Sequence, residues 1–260
     1  MSQHAAETAT QRVLRRTART NIGRLQTQAA VDAFFARYNL HGPAREAIAA
    51  KASKVHRLKR GDECFRLDER RIYLLVSGRV REEQHWGPSR IWPDGTLFGN
   101  WSGLQHHESR GTVLSDQARG LFLGVEDVRQ IGGAFPELLL ALAGATHRRL
   151  EATETVYGAS RQASMYRVAA LLLYLASART EYLSHQKITN VSEPVPGLQP
   201  RDNVEGPTQA DIADALGLSR AAVENAIAAL RRRRALSTAR RVRLYEIDRD
   251  ALRDVMLETL

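Results

Sequence analysis

The residues best suited to chemistry lie in the segment 207–234, whose sequence predicts two short helices joined by a tight turn. Thr208 and Ser219 are suited to cap the two helices, because a hydroxyl at that position accepts a hydrogen bond from a free backbone amide. Asp211 favours the positive end of the first helix, and Gly217 tolerates the positive φ of the turn. The inward positions are apolar or small: Ile212, Ala213, Leu216, Leu218, Val223, Ile227 and Leu230. This spacing is typical of a helix-turn-helix, although such pairs also occur as plain structural elements.

The second helix, residues 219–230, leaves polar side chains facing outward near its start. A recognition helix presents its amino-terminal side chains to base edges in the major groove of DNA. There Arg220 could pair with guanine and Asn225 with adenine, each through two hydrogen bonds. The sequence therefore predicts a DNA-reading helix. The expected DNA contacts are Thr208, Ser219, Arg220, Ala221, Asn225, Arg231, Arg240 and Arg241.

A block of positive charge overlaps this helix pair. Between residues 215 and 243, eight arginines face a single acid, Glu224, which amounts to +7 in 29 residues. The following stretch, 244–260, holds two arginines and five acids. Residues 235–247 predict a strand, a turn and a strand, which is a wing with Arg240 and Arg241 at its tip. Such a local block indicates a surface for nucleic acid, and the alternative is a solvated, arginine-rich helix end.

The composition of the whole chain favours two domains and a polyanionic partner. The 260 residues are 43% hydrophobic and carry a formal charge of +9. The lone cysteine, Cys64, excludes a disulfide framework and an iron–sulfur cluster held by one chain. No apolar run is long enough to span a membrane, and no apolar core follows the amino-terminal arginines as it would in a secretory signal. We therefore expect a cytoplasmic protein.

The segment 29–133 predicts a flanking helix followed by short strands. Apolar residues recur at helix spacing over 29–54, with a break at 42–43. Short alternating runs separated by turn residues then fill 55–125, a pattern typical of a small sandwich or barrel. Residues 1–28 are interpreted as a basic tail, and the alternative is an arm that touches DNA. Three tryptophans are expected in the core of the barrel, or stacked on a ligand there: Trp86, Trp92 and Trp101.

A long helix is predicted after the glycines at 132–133. Its stripe recurs every three or four residues: Phe135, Leu139, Leu142, Thr146, Leu150, Thr153 and Tyr157. A stripe this long, and only partly apolar, suits packing against a second copy of the chain. The segment 134–160 is therefore predicted to be a dimerisation helix, and the alternative is that it packs against its own domain.

The rest of the chain completes a DNA-binding domain that is predicted to span 161–260. A helix centred on 168–176 is apolar over most of its surface and should be core. Proline and glycine residues predict a loop over 181–207, with a short strand at 187–191. The predicted fold class is α+β, with a strand-rich first part, a long helix and a carboxy-terminal winged helix-turn-helix.

These features resemble the CRP/FNR superfamily of bacterial transcription regulators over roughly residues 50–250. Besides the helix-turn-helix, Lys59-Arg-Gly-Asp-Glu-Cys-Phe and Tyr73-Leu-Leu-Val-Ser-Gly-Arg-Val are similar to the family's early β-roll strands. The resemblance implies a β-roll of cyclic-nucleotide-binding type and a homodimer that regulates transcription from a pseudo-palindromic DNA operator. Arg220 matches a base-contacting arginine of the cAMP-responsive members. Ala221 and Asn225 differ from the glutamate and arginine found there, so we expect a different operator.

The same resemblance points to an effector site at Gly99, Asn100, Arg110, Gly111 and Thr112. Members that bind cAMP hold the ribose with a glutamate where this chain has Asn100, and place a hydroxyl residue where it has Gly111. Arg110 could still hold an anion. We therefore do not expect cAMP, and the effector is a different small molecule or none. Histidines in the same region, at 85, 106 and 107, could serve a haem or metal but are more often solvated, so no cofactor is predicted.

An enzyme acting on a nucleotide is the competing class of protein. The chain lacks a phosphate-binding GxxxxGK loop, an HExxH zinc motif and a GxSxG elbow. Glu82 and Glu83 would point to opposite faces of a strand, so they do not form a catalytic pair. No catalytic residue is therefore predicted. Within the class of DNA-binding proteins, the alternative is an effector-independent repressor or architectural protein with a vestigial sensor. RNA polymerase would be the partner of an activator, but no pattern identifies a surface for it.

Overall fold

Strands dominate the first half of the structure and helices the second, which is the α+β class predicted from the sequence. The structure, a computed structural model, describes residues 21–66, 70–84, 87–99, 101, 109–186, 202–237 and 243–258; for 177–186 it describes the backbone alone. The first elements are α1 (21–35), a 3-10 turn (Ala36–Tyr38), α2 (Gly42–Lys51), β1 (His56–Lys59), β2 (Glu63–Arg66), β3 (Arg71–Ser77), β4 (Val80–Gln84), β5 (Arg90–Trp92), β6 (Leu97–Phe98), β7 (Ser109–Val113) and β8 (Gln117–Gly124). The later elements are α3 (Val125–Ala134), α4 (Glu137–Ala152), a π-helical turn (Thr153–Tyr157), α5 (Ser164–Gln186), β9 (Asp202–Glu205), α6 (Gln209–Leu216), α7 (Arg220–Arg232), β10 (Leu244–Ile247) and α8 (Arg249–Glu258). None of the described helices is both long and apolar enough to cross a bilayer.

The strands of the first part form two antiparallel sheets that enclose an aromatic core. Their orders are β1-β8-β3-β6 and β2-β7-β4-β5. Between the sheets the rings of Phe65 and Phe98 lie 4.4 Å apart, and Tyr73 packs beside both. Trp92 is fully buried, which confirms its predicted core role. Trp101 instead donates its indole N–H to Thr146 Oγ1 on α4 at 3.1 Å, and Trp86 lies outside the described residues.

Helices α1 to α4 share a second apolar core with the β1-β8-β3-β6 sheet. The sequence reading missed α3 and placed the glycines at 132–133 before a helix, whereas they lie inside α3. Packing explains the difference, because a Cβ on Gly132 would lie 2.8 Å from Cδ2 of Leu139. Glycine is thus retained within the helix so that α4 can approach it closely.

The predicted stripe of α4 faces two environments. Leu142 is fully buried in the core of its own domain, and the Tyr157 hydroxyl accepts a hydrogen bond from the backbone N–H of Ile91 at 2.9 Å. Leu139 and Leu150 are exposed. Part of the stripe therefore packs within its own chain, as the alternative had it, and part stays open to solvent, so that the dimerisation helix remains a prediction.

The segment after α4 departs from the sequence reading at two places. Helix α5 extends to residue 186, so 181–186 are helical where a loop was predicted, since the helix-breaking prolines begin only at Pro194. Strand β9 was also missed, because its side chains are mostly polar and its form depends on pairing with β10, where Val204 faces Tyr245. The strand predicted at 187–191 lies outside the described residues.

The strand-rich part and the carboxy-terminal part share one apolar core. Ile91 and Leu114 of the strands pack in the cluster that holds α5, α6, α7 and α8. The backbones also meet directly, because a Cβ on Gly206 would lie 2.9 Å from the backbone nitrogen of Ser115. Gly206 has a φ of +122°, a conformation that side chains disfavour.

Two carboxyl groups meet at this same junction. Glu205 ends β9 in the carboxy-terminal part, and Asp116 lies in the turn between β7 and β8. A hydrogen bond to Asp116, together with burial, raises the pKa of Glu205 above its ordinary 4.5, although Arg60 and Arg79 oppose the rise. The pair is thus held best when it carries one proton.

Glu205→Gln should therefore change how stability depends on pH. A raised folded-state pKa means that the native state holds the proton more tightly, so the contribution of Glu205 to wild-type stability falls as pH rises from about 4.5 through the raised value. The variant keeps a hydrogen-bonding amide without this charge, so its Tm relative to wild type should rise as the pH increases from about 4.5 through the raised pKa. Glu126→Gln, in an exposed pair with Arg129 on α3, is the matched control. Parallel Tm–pH curves for wild type and Glu205→Gln would contradict a raised pKa of Glu205.

Candidate nucleic-acid interface

The two helices of the predicted helix-turn-helix are α6 and α7, and both carry the caps expected from the sequence. Thr208 Oγ1 accepts from the Asp211 amide at 3.1 Å, and Asp211 Oδ2 accepts from the Thr208 amide at 2.8 Å, which is a reciprocal capping box. Ser219 Oγ accepts from the Ala222 amide at 3.1 Å. Gly217 ends α6 with a φ of 60°. Local side-chain chemistry therefore fixes both helix starts and the turn between them.

The inner faces of α6 and α7 are buried as the sequence predicts. The buried residues are Ile212, Ala213, Leu216, Val223, Ile227 and Leu230. The carboxy-terminal end of α6 is held by α5, where the Arg167 guanidinium donates to the Leu216 carbonyl. The pair is thus fixed on α5 by apolar packing and by a charge-assisted hydrogen bond.

The opposite face of α7 is open to solvent over its first two turns. Arg220, Ala221 and Asn225 are exposed, and the Arg220 side chain is 74% accessible. Arg220 Nε donates to Glu224 Oε1 at 3.0 Å, which orients the guanidinium along the helix. The two Nη groups make no bond to any described residue, so the fork that pairs with guanine is available.

The carboxy-terminal end of α7 carries the positive charge. Arg231 and Arg232 are exposed in its last turn, whereas Arg233 pairs with Glu258 of α8. Cations are favoured at this end of a helix dipole, and they are also the groups that hold phosphate. The arrangement places an exposed polar face and an exposed, positively charged end on one helix.

The wing differs in part from the predicted hairpin. Strand β10 pairs along its length with β9, and the segment before it adds a single bridge between Leu236 and Ile247. The Ser237 amide also donates to the Glu246 carbonyl at 3.1 Å. The predicted tip residues, Arg240 and Arg241, lie outside the described residues.

The described residues of the predicted effector site lie at different depths in the β-roll. Arg110 is exposed on β7 and donates to Glu83 of β4, with Nε 2.6 Å from Oε2. Gly111 is buried on the other face of the strand, and Thr112 is half-buried. Gly99 lies in a turn with a φ of +99°, and Asn100 lies outside the described residues. The effector site therefore stays a prediction.

A cavity of about 270 Å³ lies elsewhere, between α4 and the turn that joins β5 to β6. Three arginines line it, and each is engaged within the chain. Arg37 pairs with Asp94 at 3.3 Å, Arg149 pairs with Glu82, and Arg148 lies over the Tyr38 ring. The described members of the predicted effector set do not line this cavity.

The described residues offer little for metal or nucleophilic chemistry. Within them, no three histidine, cysteine or acidic side chains are grouped to hold a metal ion. Burial raises the pKa of Cys64 to about 12, so the thiol stays protonated at neutral pH. A protonated, buried thiol is neither a good ligand nor a good nucleophile.

Sequence reasoning missed the residues in and beside β4 and β5 that contact the carboxy-terminal part. Arg81 of β4 donates to Asp211 of α6 at 3.0 Å, and Ser89 donates to Asp214 of the same helix. Arg79 donates to the Glu205 carbonyl at 2.9 Å. These partners lie 125 or more residues apart in the chain, so no local pattern could reveal them.

Together the fold and the site define a β-roll of cyclic-nucleotide-binding type joined to a winged helix-turn-helix. Residues 166–255 match the model of the Crp-like helix-turn-helix domain family. FixK2 from Bradyrhizobium japonicum has 20% identity and a TM-score of 0.55, covering 78% of this chain and 96% of its own. TTHB099, a CRP-family transcriptional regulator from Thermus thermophilus, has 23% identity and a TM-score of 0.52, covering 77% and 96%. The c-di-GMP-responsive regulator CLP from Xanthomonas campestris has 16% identity and a TM-score of 0.51, covering 80% and 100%.

These comparisons confirm the resemblance to the CRP/FNR superfamily. At such identities the likeness to the solved structures establishes the fold, and the domain match adds the helix-turn-helix. No curated protein matches the chain in sequence. The chain thus has the fold of these solved structures and carries a Crp-like helix-turn-helix domain at residues 166–255.

Arg220→Ala should cost about 1–3 kcal/mol of binding free energy on the preferred DNA and should relax preference at one base position, since it removes a bidentate contact. The check is affinity on a panel of single-base variants of the selected site. Arg253→Ala is the control, because Arg253 is also exposed and pairs with an acid three residues away, Asp250, but on α8. An Arg220→Ala protein with unaltered base preference would remove Arg220 from the reading set.

Proposed function

We propose that this chain is a sequence-specific transcription regulator that binds double-stranded DNA as a homodimer, with residues 219–230 in the major groove. The observation that carries the proposal is the division of α7 into two faces. One face is buried in the shared core, whereas the other presents Arg220 and Asn225 to solvent and leads into Arg231. The expected contacts at Thr208 and Ser219 would be to phosphate, because both residues begin helices at this surface and a helix amino terminus favours an anion.

The dimer is proposed to form along α4. Leu139 is 37% exposed, Leu140 is 75% exposed and Leu150 is 54% exposed, and Ala143 lies exposed between them. Ala143 follows Leu139 by four residues and Leu140 by three, and Leu150 follows Ala143 by seven, which is the heptad spacing of a helix that packs against a second helix. Large apolar side chains on one helix face, next to a well-filled core, favour a partner helix over solvent.

Two-fold symmetry then sets the form of the operator. A dimer that places two recognition helices on one side of the duplex reads half-sites about 34–36 Å apart. The proposed domain limits follow the same plan. They are a basic tail at 1–28, a sensor-like β-roll at 29–133, a dimerisation helix at 134–160 and the DNA-binding domain at 161–260. A cytoplasmic location and no enzymatic activity accord with this function, and RNA polymerase would be a partner if the regulator activates.

The second candidate is a DNA binder that needs no effector, and the β-roll interior favours it. A Cβ on Gly111 would lie 2.7 Å from Sγ of Cys64 and still closer to the Phe65 ring. A hydroxyl residue of the cAMP-responsive type therefore has no room at this position. With Arg110 paired outside to Glu83, the interior offers aromatic rings instead of an anion site.

Selection from random duplex DNA, with purified protein and no added ligand, tests the proposed function. A palindromic motif would support a dimeric reader, and its recovery without ligand would favour the effector-independent candidate. Weak binding without a motif, persisting in the presence of cyclic mononucleotides and cyclic dinucleotides, would contradict sequence-specific reading.

Leu150→Glu should convert the dimer to a monomer, because it places a charge in the apolar strip where two copies of α4 would meet. Sedimentation equilibrium at micromolar concentration measures the change. Leu257→Glu is the matched control, since Leu257 on α8 is also exposed, at 71%, but lies outside the proposed interface. A wild-type chain that sediments as a monomer, or a Leu150→Glu variant that remains a dimer, would rule out this interface.

A further inference from the structure

A single carboxylate links the β-roll to the start of the helix-turn-helix. Asp211 is the third residue of α6, and its Oδ2 completes the capping box with Thr208. Its other oxygen, Oδ1, accepts from Arg81 Nη1 of β4 at 3.0 Å. The Asp211 side chain is only 14% exposed, so this ion pair is poorly screened by solvent. Helix capping and domain contact therefore depend on the same group.

A second acid of α6 repeats the pattern. Asp214 lies three residues after Asp211, on the same side of the helix, and accepts from the Ser89 hydroxyl just before β5. Arg79, just before β4, adds bonds to the carbonyls of Leu175 at 3.2 Å and Glu205 at 2.9 Å. The β4–β5 region thus supplies the donors, and the DNA-binding part supplies the acceptors.

On the β-roll side, Arg81 belongs to a chain of ion pairs. Its Nη2 lies 2.9 Å from Glu83 Oε1, and the other oxygen of Glu83 accepts from Arg110 Nε at 2.6 Å. Charges therefore alternate from Arg110 through Glu83 and Arg81 to Asp211. Since Glu83 attracts both arginines, a change at Arg110 alters the field in which Arg81 binds Asp211.

Helix α6 lies between the β-roll and α7, so the ion pair at Asp211 can affect the orientation of α7. Helix α6 contacts β5 on one side and α7 on another, and the reading face of α7 stays exposed while the link is made. A contact that fixes α6 on the β-roll therefore fixes the direction in which Arg220 and Asn225 point. Holding a binding surface in its bound orientation reduces the entropy lost on association.

We propose that Arg81 and Asp211 are positioning residues, whose ionic link between β4 and α6 holds the helix-turn-helix in the orientation that reads DNA. The proposal rests on the proposed function and deepens it, because it assigns control of the reading helix to a direct contact with the β-roll. Arg110 and Glu83 extend the link to the outer face of β7.

The test is a double-mutant cycle with Arg81→Ala and Asp211→Gln. Glutamine at the third helical position still completes a capping box, so Asp211→Gln removes the charge and keeps the cap. Arg66→Ala is the control, since Arg66 is exposed and pairs with Glu63 on β2, away from α6. The measurements are affinity for the selected DNA, base preference, and deuterium uptake by the amides of α6.

Each single variant should bind DNA about two- to fivefold more weakly, the range expected for one partly exposed ion pair. The double variant should lose no more than either single one, because both remove the same interaction. Base preference should be unchanged, deuterium uptake in α6 should be faster, and Arg81→Lys should recover part of the affinity.

Wild-type affinity and wild-type uptake in both single variants would overturn the proposal, as would losses that simply multiply in the double variant. These results differ from those expected if the proposed function is wrong. If it is wrong, the wild-type protein selects no DNA sequence, and deuterium uptake in the four proteins of the cycle still shows whether Arg81 and Asp211 interact.

Discussion

The placement of α7, the proposed reading helix, depends on the burial of α5 between the β-roll and the helix-turn-helix. Leu171, Leu172 and Leu175 of α5 are fully buried, in a cluster that also holds Ile91 from the β-roll. Each such leucine contributes about 1.5–3 kcal/mol by leaving water. Because Ile91 and Leu114 lie in the same cluster as α5, α6, α7 and α8, the DNA-binding part cannot move away from the β-roll without opening this core. Apolar packing therefore supplies the adhesion between the two parts.

Polar groups at the same junction set the orientation of the helix-turn-helix relative to the β-roll. Apolar contact is nearly indifferent to small rotations, whereas Arg79, Arg81 and Ser89 each need a particular acceptor at a particular distance. Because Asp211 also forms the capping box, the same hydrogen bonds fix the first turn of α6. Two kinds of interaction thus have separate roles, since burial holds the helix-turn-helix against the β-roll and hydrogen-bonded charge sets its angle.

The β-roll has the strand arrangement of a nucleotide-binding domain, but aromatic side chains fill its interior. Phe65, Tyr73, Trp92 and Phe98 fill the space between the sheets, and a larger residue at Gly111 would displace the side chains of Phe65 and Cys64. Arg110 is turned outward to Glu83. These contacts favour a domain that serves as a scaffold for α4 and α6, in agreement with the effector-independent candidate.

How much the sequence can predict depends on how local the cause is. The caps at Thr208 and Ser219 and the turn at Gly217 follow from neighbouring residues, and the structure confirms all three. Helix α3 and strand β9 were missed because their form depends on Leu139 and on β10, which are distant or on another element. The ion pair between Arg81 and Asp211 joins residues 130 positions apart, and no local sequence pattern in either segment indicates it. Contacts of that kind require the folded chain.

In the proposed complex, two copies of α7 enter successive major grooves on one face of DNA. Site-directed cleavage tests this placement most directly, with a metal chelator attached to a cysteine introduced by Ala221→Cys at the exposed start of α7. Cys64 is buried and its pKa is raised to about 12, so the label should react selectively at position 221. We expect two clusters of cuts centred about 10–10.5 base pairs apart. A single cluster, or cuts spread evenly along the duplex, would contradict the placement.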